Sequence, residues 1–188
     1  MVVRWPGLWP VFRPLVRRQF DRLAPVWDTM LLEDSLLPYK AALAQIPGTV
    51  ERALDVGTGT GAGARAIASR FPAAEIVGID VAPAMLDEAR RLAPELSFVE
   101  GDAAKLPFEA ESFDLVANAN MIPFLDEVAR VLKPRGWTLY AFSAGPETPI
   151  WVEPAVLRPQ LERRGFSDFA EIDAGRGKAV LARKGKRY

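Results

Sequence analysis

Histidine and cysteine are both absent from this chain of 188 residues. Their absence excludes a disulfide, a thiol nucleophile, a Ser-His triad and a Cys/His zinc site. Any chemistry must therefore come from carboxylates, tyrosines, amides, the backbone or a bound cofactor. Also lacking is an apolar run near the roughly 18 residues that a membrane-crossing helix needs. No uninterrupted apolar stretch leads to a small-residue cleavage site, so the sequence predicts neither a span nor a signal peptide, and it predicts cytoplasmic residence. Net charge is missing too, since 24 basic residues balance 24 acidic ones. That zero is a sum over unlike regions. Residues 1–20 carry Arg4, Arg13, Arg17 and Arg18 with no acid, and the tail carries Arg183, Lys184, Lys186 and Arg187. Sixteen basic residues face twenty-four acidic ones between these ends, so the body repels phosphate and nucleic acid is not the expected partner.

The rest of the composition, 49% hydrophobic and 26% charged, fits one soluble globular domain with room for a sizeable core. The first twenty residues mix arginine with Trp5, Trp9 and Phe12, which suits a peripheral membrane contact or an apolar partner as well as an arm packed on its own domain. Pro6, Pro10 and Pro14 are expected to interrupt any long helix there. Residues 20–32 and 38–46 read as helices from apolar spacings of three and four, ending at the turn signal Pro47-Gly48. Short β-rich runs then alternate with Ala-rich helical stretches. The runs are 52–56, 75–79, 96–100, 113–117 and 137–142; the helices are 61–70, 83–92, 125–132, closed by Pro134-Gly136, and 154–164. Strands separated by single helices give right-handed βαβ units and a parallel sheet covered on both faces. Residues 166–172 and 178–182 break the rhythm as a β-hairpin around Gly175-Arg176.

The strongest local signal is Leu54-Asp55-Val56-Gly57-Thr58-Gly59-Thr60-Gly61-Ala62-Gly63-Ala64, which follows a strand and opens a helix. Glycines there let a ligand approach the backbone and the helix N-terminus. The loop fits a dinucleotide fingerprint through Gly57, Gly59 and Ala62, and equally an acidic-x-Gly-x-Gly-x-Gly loop through Asp55, Gly57, Gly59 and Gly61. Asp80, at the end of the second strand, can accept both ribose hydroxyls of a nucleoside and serves either reading. The acid after the third strand, in Phe98-Val99-Glu100-Gly101-Asp102-Ala103, does discriminate between the two.

With LDVGTGTG, VGIDVAPAMLDEAR, FVEGDAAKLPFEAESFDLV and EVARVLKPRGWTLYAF in order across residues 53–142, the chain resembles the class I S-adenosylmethionine-dependent methyltransferases. The likeness is to the small-molecule group with a methyltransferase type 11 domain, which includes ubiquinone and menaquinone biosynthesis enzymes. The upstream FDRLAPVWD also resembles the N-terminal segment of the quinone-type enzymes. The resemblance implies an α/β fold: a Rossmann-like three-layer sandwich with a mostly parallel seven-stranded sheet ending in an antiparallel β-hairpin. It implies a cofactor-binding core over 47–188, with 1–46 as a helical arm roofing the active site. It further implies that Asp55, Gly57, Thr58, Gly59 and Gly61 shape the pocket for the methionine end of S-adenosyl-L-methionine, with Asp55 near the amino group. Asp80 would bind the ribose, Val81 and Met85 would flank the adenine, and Asp102 would accept from its exocyclic amine beside Ala103. Asn118 would face the sulfonium.

Methyl transfer from a sulfonium needs alignment more than acid-base power, so the missing histidines are no obstacle. The product would be S-adenosyl-L-homocysteine and the acceptor a small, apolar or aromatic molecule. Asp28, Glu33 and Asp34 are the carboxylates read near the mouth, with Tyr39 and Tyr140 as hydrogen-bonding partners, and no base is assigned. The chain departs from the family where Pro123 and Phe124 replace a common histidine pair, and the short connection 143–150 leaves the roof to residues 1–46. Asn118, Asn120 and Ser143 offer no carboxylate cluster for magnesium. The alternatives left open are a cofactor-binding module without turnover and an NAD-binding Rossmann protein.

Overall fold

A computed structural model describes residues 8–30 and 34–186. Helix α1 (Trp9–Leu23) runs through a 3-10 turn (Ala24–Val26) into α2 (Trp27–Met30), and α3 (Leu37–Gln45) follows. The core then reads β1 (Arg52–Val56), α4 (Ala62–Arg70), β2 (Glu75–Asp80), α5 (Pro83–Leu92), β3 (Ser97–Glu100), β4 (Phe113–Ala119), α6 (Leu125–Val131) and β5 (Leu132–Phe142). It closes with α7 (Pro154–Glu162), β6 (Phe166–Ala174) and β7 (Gly177–Lys184). Among the described residues, no helix is long and apolar enough to cross a membrane.

The seven strands form one sheet in the order β3-β2-β1-β4-β5-β7-β6. β1 to β5 pair in parallel, and β7 runs antiparallel between β5 and β6. This is the Rossmann-like three-layer sandwich with a terminal hairpin. Strand alternation sorts side chains to two faces. Ala53, Leu115, Ala117, Leu139 and Ala141 pack with Tyr39 and Leu43 of α3, Ile67 of α4 and Leu86 of α5. Leu54, Val56, Val116, Tyr140 and Phe142 face Val128 of α6 and Leu157 and Leu161 of α7. Helix α3, read from the sequence as part of the arm, thus belongs to the first of these layers.

Two local expectations are corrected. The prolines do not keep the arm from forming a long helix: α1 is one 15-residue helix. Pro10 lies in its first turn, where a missing N–H is free of consequence, and Pro14 removes only the bond to the Pro10 carbonyl. Pro134 and Gly136 lie inside β5 rather than after α6. Between the pairs Phe113↔Leu132 and Leu115↔Trp137 the fifth strand bulges, with Arg135 at φ 66°.

The strand order reverses between β1 and β4. In such sheets the ligand crevice opens at the carboxyl ends of the strands beside that reversal. The register Val56↔Ile79 and Val56↔Asn118 brings the glycine loop, the end of β2 and the end of β4 to one edge.

Candidate functional site

The loop after β1 climbs from Gly57 to Gly61 with φ of 68°, 54° and 80° at its three glycines, and Gly61 starts α4. Such values strain a side-chain-bearing residue, which is why glycine recurs here. The loop is tied to β2 through the N–H groups of Gly57 and Thr58, which donate to the Ile79 carbonyl at 2.8 and 3.0 Å. Beneath it Asp55 is 2% exposed. One of its oxygens accepts from the Tyr39 hydroxyl at 2.8 Å and the other from the Thr58 hydroxyl at 2.6 Å. Gly63 leaves room for them, since a Cβ there would stand 2.7 Å from both oxygens. Burial pushes the Asp55 carboxyl up to about 6, with a small further push from the Asp80 charge, while Thr58, Tyr39 and the Ala64 N–H pull it back. Burial against this acid raises the Tyr39 hydroxyl well above the ordinary tyrosine range.

Asp55 therefore faces inward, under the loop, with both oxygens held by Tyr39 and Thr58. Thr58 is likewise turned inward and buried. Gly57 is exposed, but the Met121 side chain covers it closely enough that a Cβ would meet the sulfur at 2.5 Å. Asn118 is 3% exposed at the end of β4, where the chain turns through Asn120 at φ 51°. The Asn120 side-chain oxygen accepts from the Ser143 N–H at 2.8 Å and so joins the ends of β4 and β5.

Asp80 ends β2 half-buried and accepts from the Gly59 N–H on one oxygen and the Ala82 N–H on the other, both at 2.9 Å. Burial raises its carboxyl despite these N–H groups. It thereby fixes the summit of the loop to the start of α5. Val81 stays partly open, whereas Met85 is 1% exposed and packs with Ala24 and Ala82 against Phe20, Leu23 and Trp27 of the arm. Met85 is core between α5 and the arm. The mouth carboxylates are also engaged: Asp28 accepts from the Thr60 hydroxyl, and Asp34 meets Arg176 of the terminal hairpin at 3.4 Å. Glu33 lies outside the described residues. Tyr140 is fully buried on the α6/α7 face, because its parity on β5 is opposite to that of Leu139 and Ala141. It thus lies on the opposite face of the sheet from Tyr39, and the two tyrosines do not meet at one mouth.

Asp102, beyond β3, is the residue the arm seeks out. The Trp9 indole N–H donates to its Oδ1 at 2.7 Å, and the Arg13 guanidinium to its Oδ2 at 2.8 Å. The Ala104 N–H also reaches Oδ1, at 2.9 Å. Desolvation alone would raise Asp102, but Ala104, Arg13 and Trp9 outweigh it and hold the carboxyl below the usual range. Trp9 is 6% exposed and stands edge-on to Phe124 at 5.4 Å. Ala103 packs toward the α6/α7 face. Between α1 and the strand ends lies a cavity of about 490 Å³ lined by Arg13, Pro14, Arg17, Val81, Glu100 and Asp102. That size suits a small-molecule site. Val81 and Asp102 line this cavity, while Asp80 ends the neighbouring strand and is joined to the summit of the glycine loop. The sequence reading missed Trp9, Arg13 and Met121. The spacing of four between Trp9 and Arg13 was the available signal, and it was hidden by reading the prolines as breaks.

Residues 53–136 match the family model described as methyltransferase domain. The demethylmenaquinone methyltransferase of Chlorobaculum parvum is 34% identical over 154 residues, which cover 73% of this chain and 64% of that protein. The chain thus spans less than two thirds of that relative's length. In fold, it superposes with a TM-score of 0.74 on a chain of the complex between the Haloferax volcanii Trm112 methyltransferase activator and a methyltransferase, at 22% identity, covering 88% of this chain and 97% of that one. Haemonchus contortus phosphoethanolamine N-methyltransferase 2, solved with phosphomonomethylethanolamine and S-adenosylhomocysteine, gives 0.73 at 18% identity, covering 93% of this chain and 61% of that one. The resemblance drawn from the motifs and these matches point the same way: residues 53–136 match a methyltransferase-domain model, and the chain shares the fold of the two solved structures.

Proposed function

We propose that the protein is an S-adenosylmethionine-dependent methyltransferase acting on a small, apolar or aromatic acceptor. The observation that carries this reading is the placement, at the carboxyl ends of the parallel strands, of the glycine loop joined to Asp80 and, beyond β3, of Asp102 on a cavity of about 490 Å³. The cofactor supplies a methyl group on a positively charged sulfur, already poised to leave. The chain's own residues bind and align. Asp80 takes the ribose hydroxyls, Asp102 the nucleobase amine, and the backbone of Gly57 and Gly59 the amino-acid end. Trp27 stands beside Gly59 and Met121 beside Gly57, flanking the loop. The α1–α2 arm roofs the acceptor. The names of the Chlorobaculum relative and of the Haemonchus structure support the same chemistry.

Calorimetric titration with S-adenosylhomocysteine tests the cofactor half, and no heat at millimolar ligand in wild type or in arm variants overturns it. Asp80→Ala and Asp102→Ala should each weaken binding about tenfold or more, because each removes hydrogen bonds in a desolvated site. One observation favours binding without turnover: Asp28, read as a mouth carboxylate, is bound to Thr60. Transfer of a labelled methyl group to any acceptor in a metabolite extract would exclude that alternative.

The arm supports a peripheral contact with an anionic lipid surface. Leu8, Val11 and Leu15 are exposed along one stripe that continues through Arg18, Arg22, Val26 and Met30 at spacings of three and four. With no acid in residues 1–20, the charge of the segment complements such a surface. Co-sedimentation with phosphatidylglycerol vesicles but not phosphatidylcholine vesicles, lost in Val11→Asp/Leu15→Asp, is the expected result.

A further inference from the structure

We propose that the first turn of α1 is an internal occupant of the nucleobase subsite, with the Trp9 indole standing in for the adenine. The inference rests on reading Asp102 as the acceptor for the adenine amine. Indole and purine are both planar fused bicycles with an N–H at the edge, and Trp9 presents that N–H to Asp102 at 2.7 Å while its ring is buried against Phe124. A carboxylate oxygen has two lone pairs. Oδ1 of Asp102 already accepts from Trp9 and from the Ala104 N–H, and Oδ2 accepts from Arg13. Oδ1 is thereby filled, while Oδ2 keeps one lone pair beside Arg13, so a nucleobase amine donating to Oδ1 must displace Trp9. In that pose, cofactor uptake and release of the first turn of α1 are one event.

The arm is built to let go there and hold elsewhere. The Arg13–Asp102 pair keeps the Arg13 side chain 47% exposed, and the neighbouring Arg17–Glu100 pair, at 3.1 Å, is about as open on both sides. Exposed pairs of this kind hold weakly. Pro14 follows Arg13 directly and has no N–H for the Pro10 carbonyl, so the ladder of α1 is interrupted just after the two residues that hold Asp102. Past this break the arm is fixed more firmly. Asp21 accepts from the Ala84 N–H at 3.0 Å, and Phe20, Leu23 and Trp27 pack on Ala82 and Met85. The turn bearing Trp9 can swing on Pro14 while the remainder stays docked on α5. Displaced, it opens the cavity on the side of Val81 and Asp102 and moves the exposed Val11 with it.

The test compares S-adenosylhomocysteine titrations of wild type, Trp9→Phe, Arg13→Ala and Asp102→Ala. Trp9→Phe keeps an aromatic ring against Phe124 and removes only the competing donor; Arg13→Ala alters an exposed side chain, so both should fold. Each removes a competitor for Asp102, and each should tighten binding about threefold to tenfold, in the range of the net contribution of one ordinary hydrogen bond. Hydrogen–deuterium exchange of residues 9–13 should rise when S-adenosylhomocysteine saturates the wild type, while that of residues 20–23 should stay constant. Binding that appears only in Trp9→Phe or Arg13→Ala would support the occupant in its strongest form. Wild-type binding weakened in Asp102→Ala, but unchanged or weakened in Trp9→Phe and Arg13→Ala, would overturn the occupant and leave the cofactor reading intact. No binding in any of the four would overturn both.

Discussion

Replacing Asp55 by asparagine should remove a specific pH dependence from the stability of this fold. The carboxyl is 2% exposed and titrates at about 6 in the folded protein, against an ordinary value of 3.8. The folded state therefore holds a proton that the unfolded chain has released between these values, and stability falls as pH rises across that window. The contribution is fully present below about pH 4, is lost as pH rises through about 6, and is flat above it. Two pKa units at about 1.4 kcal/mol each make the swing about 3 kcal/mol. Asparagine fills the same space, and its oxygen can accept from Tyr39 while its amide meets the Thr58 hydroxyl. Losing one acceptor near the Ala64 N–H costs about 1 kcal/mol, a constant offset across pH. Urea unfolding of wild type and Asp55→Asn at intervals from pH 4 to 8 isolates the effect, because the other carboxylates titrate in both proteins. The difference between the two should shift by about 3 kcal/mol in favour of Asp55→Asn between pH 4 and 7, with its midpoint between 4 and 6. Parallel profiles, agreeing to within about 0.5 kcal/mol after the constant offset, would refute the burial argument.

Two neighbours of Asp55 extend the same reasoning. Thr58→Val removes a hydroxyl whose 2.6 Å hydrogen bond lowers the Asp55 pKa, so the pH-dependent loss of stability should extend to higher pH than in wild type. The same urea series reads it, and an unmoved upper limit would show that the hydroxyl does not hold the carboxylate. Gly63→Ala places a Cβ 2.7 Å from both Asp55 oxygens in a helix that otherwise favours alanine. The overpacking should lower stability by about 1–3 kcal/mol at neutral pH despite the gain in helix propensity, measured as a fall in the urea midpoint. A midpoint equal to or above wild type would mean that the carboxylate has room to move.

The strands were legible because their signals are local. Each of the runs 52–56, 75–79, 96–100 and 113–117 is a short β-rich stretch bounded by glycine, proline or a helix start, and β1 to β4 fall on them within two residues. The placement of Asp80 and Asp102 at strand ends was legible for a related reason. In a parallel sheet the strand ends share one edge, so an acid at such an end is brought to the crevice whatever the distant chain does. The orientation of Asp55 was not read, although the parity that sets Leu54 and Val56 against α6 and α7 turns Asp55 with Ala53 to the other face. What parity cannot say is that α3 covers that face with Tyr39, a contact sixteen residues away in sequence. The pairing of Trp9 with Asp102 spans 93 residues and rests on a helix that proline rules argue against. It needed the packing of the arm on α5, which no local pattern records.

Without histidine, a neutral-range titration has to come from a perturbed carboxyl, and the one carried to about 6 is Asp55. It lies beneath the glycine loop, bound by Tyr39 and Thr58, and so senses pH through the packing of α3 and α4 against β1. The carboxylates at the crevice behave differently. Both oxygens of Asp80 and both of Asp102 already accept hydrogen bonds from N–H groups, of the backbone in the first and of the backbone and the arm in the second. A nucleoside entering the crevice finds acceptors held in place but partly engaged, so its affinity depends on which donors yield. Those at Asp80 come from the loop and the start of α5, whose release would loosen the site itself. At Asp102 two of the three belong to a turn set off by Pro14, whose release leaves the sheet and its loop unchanged. The contacts of this crevice that can be exchanged are therefore concentrated at the nucleobase end, and the arm there decides how readily the site fills.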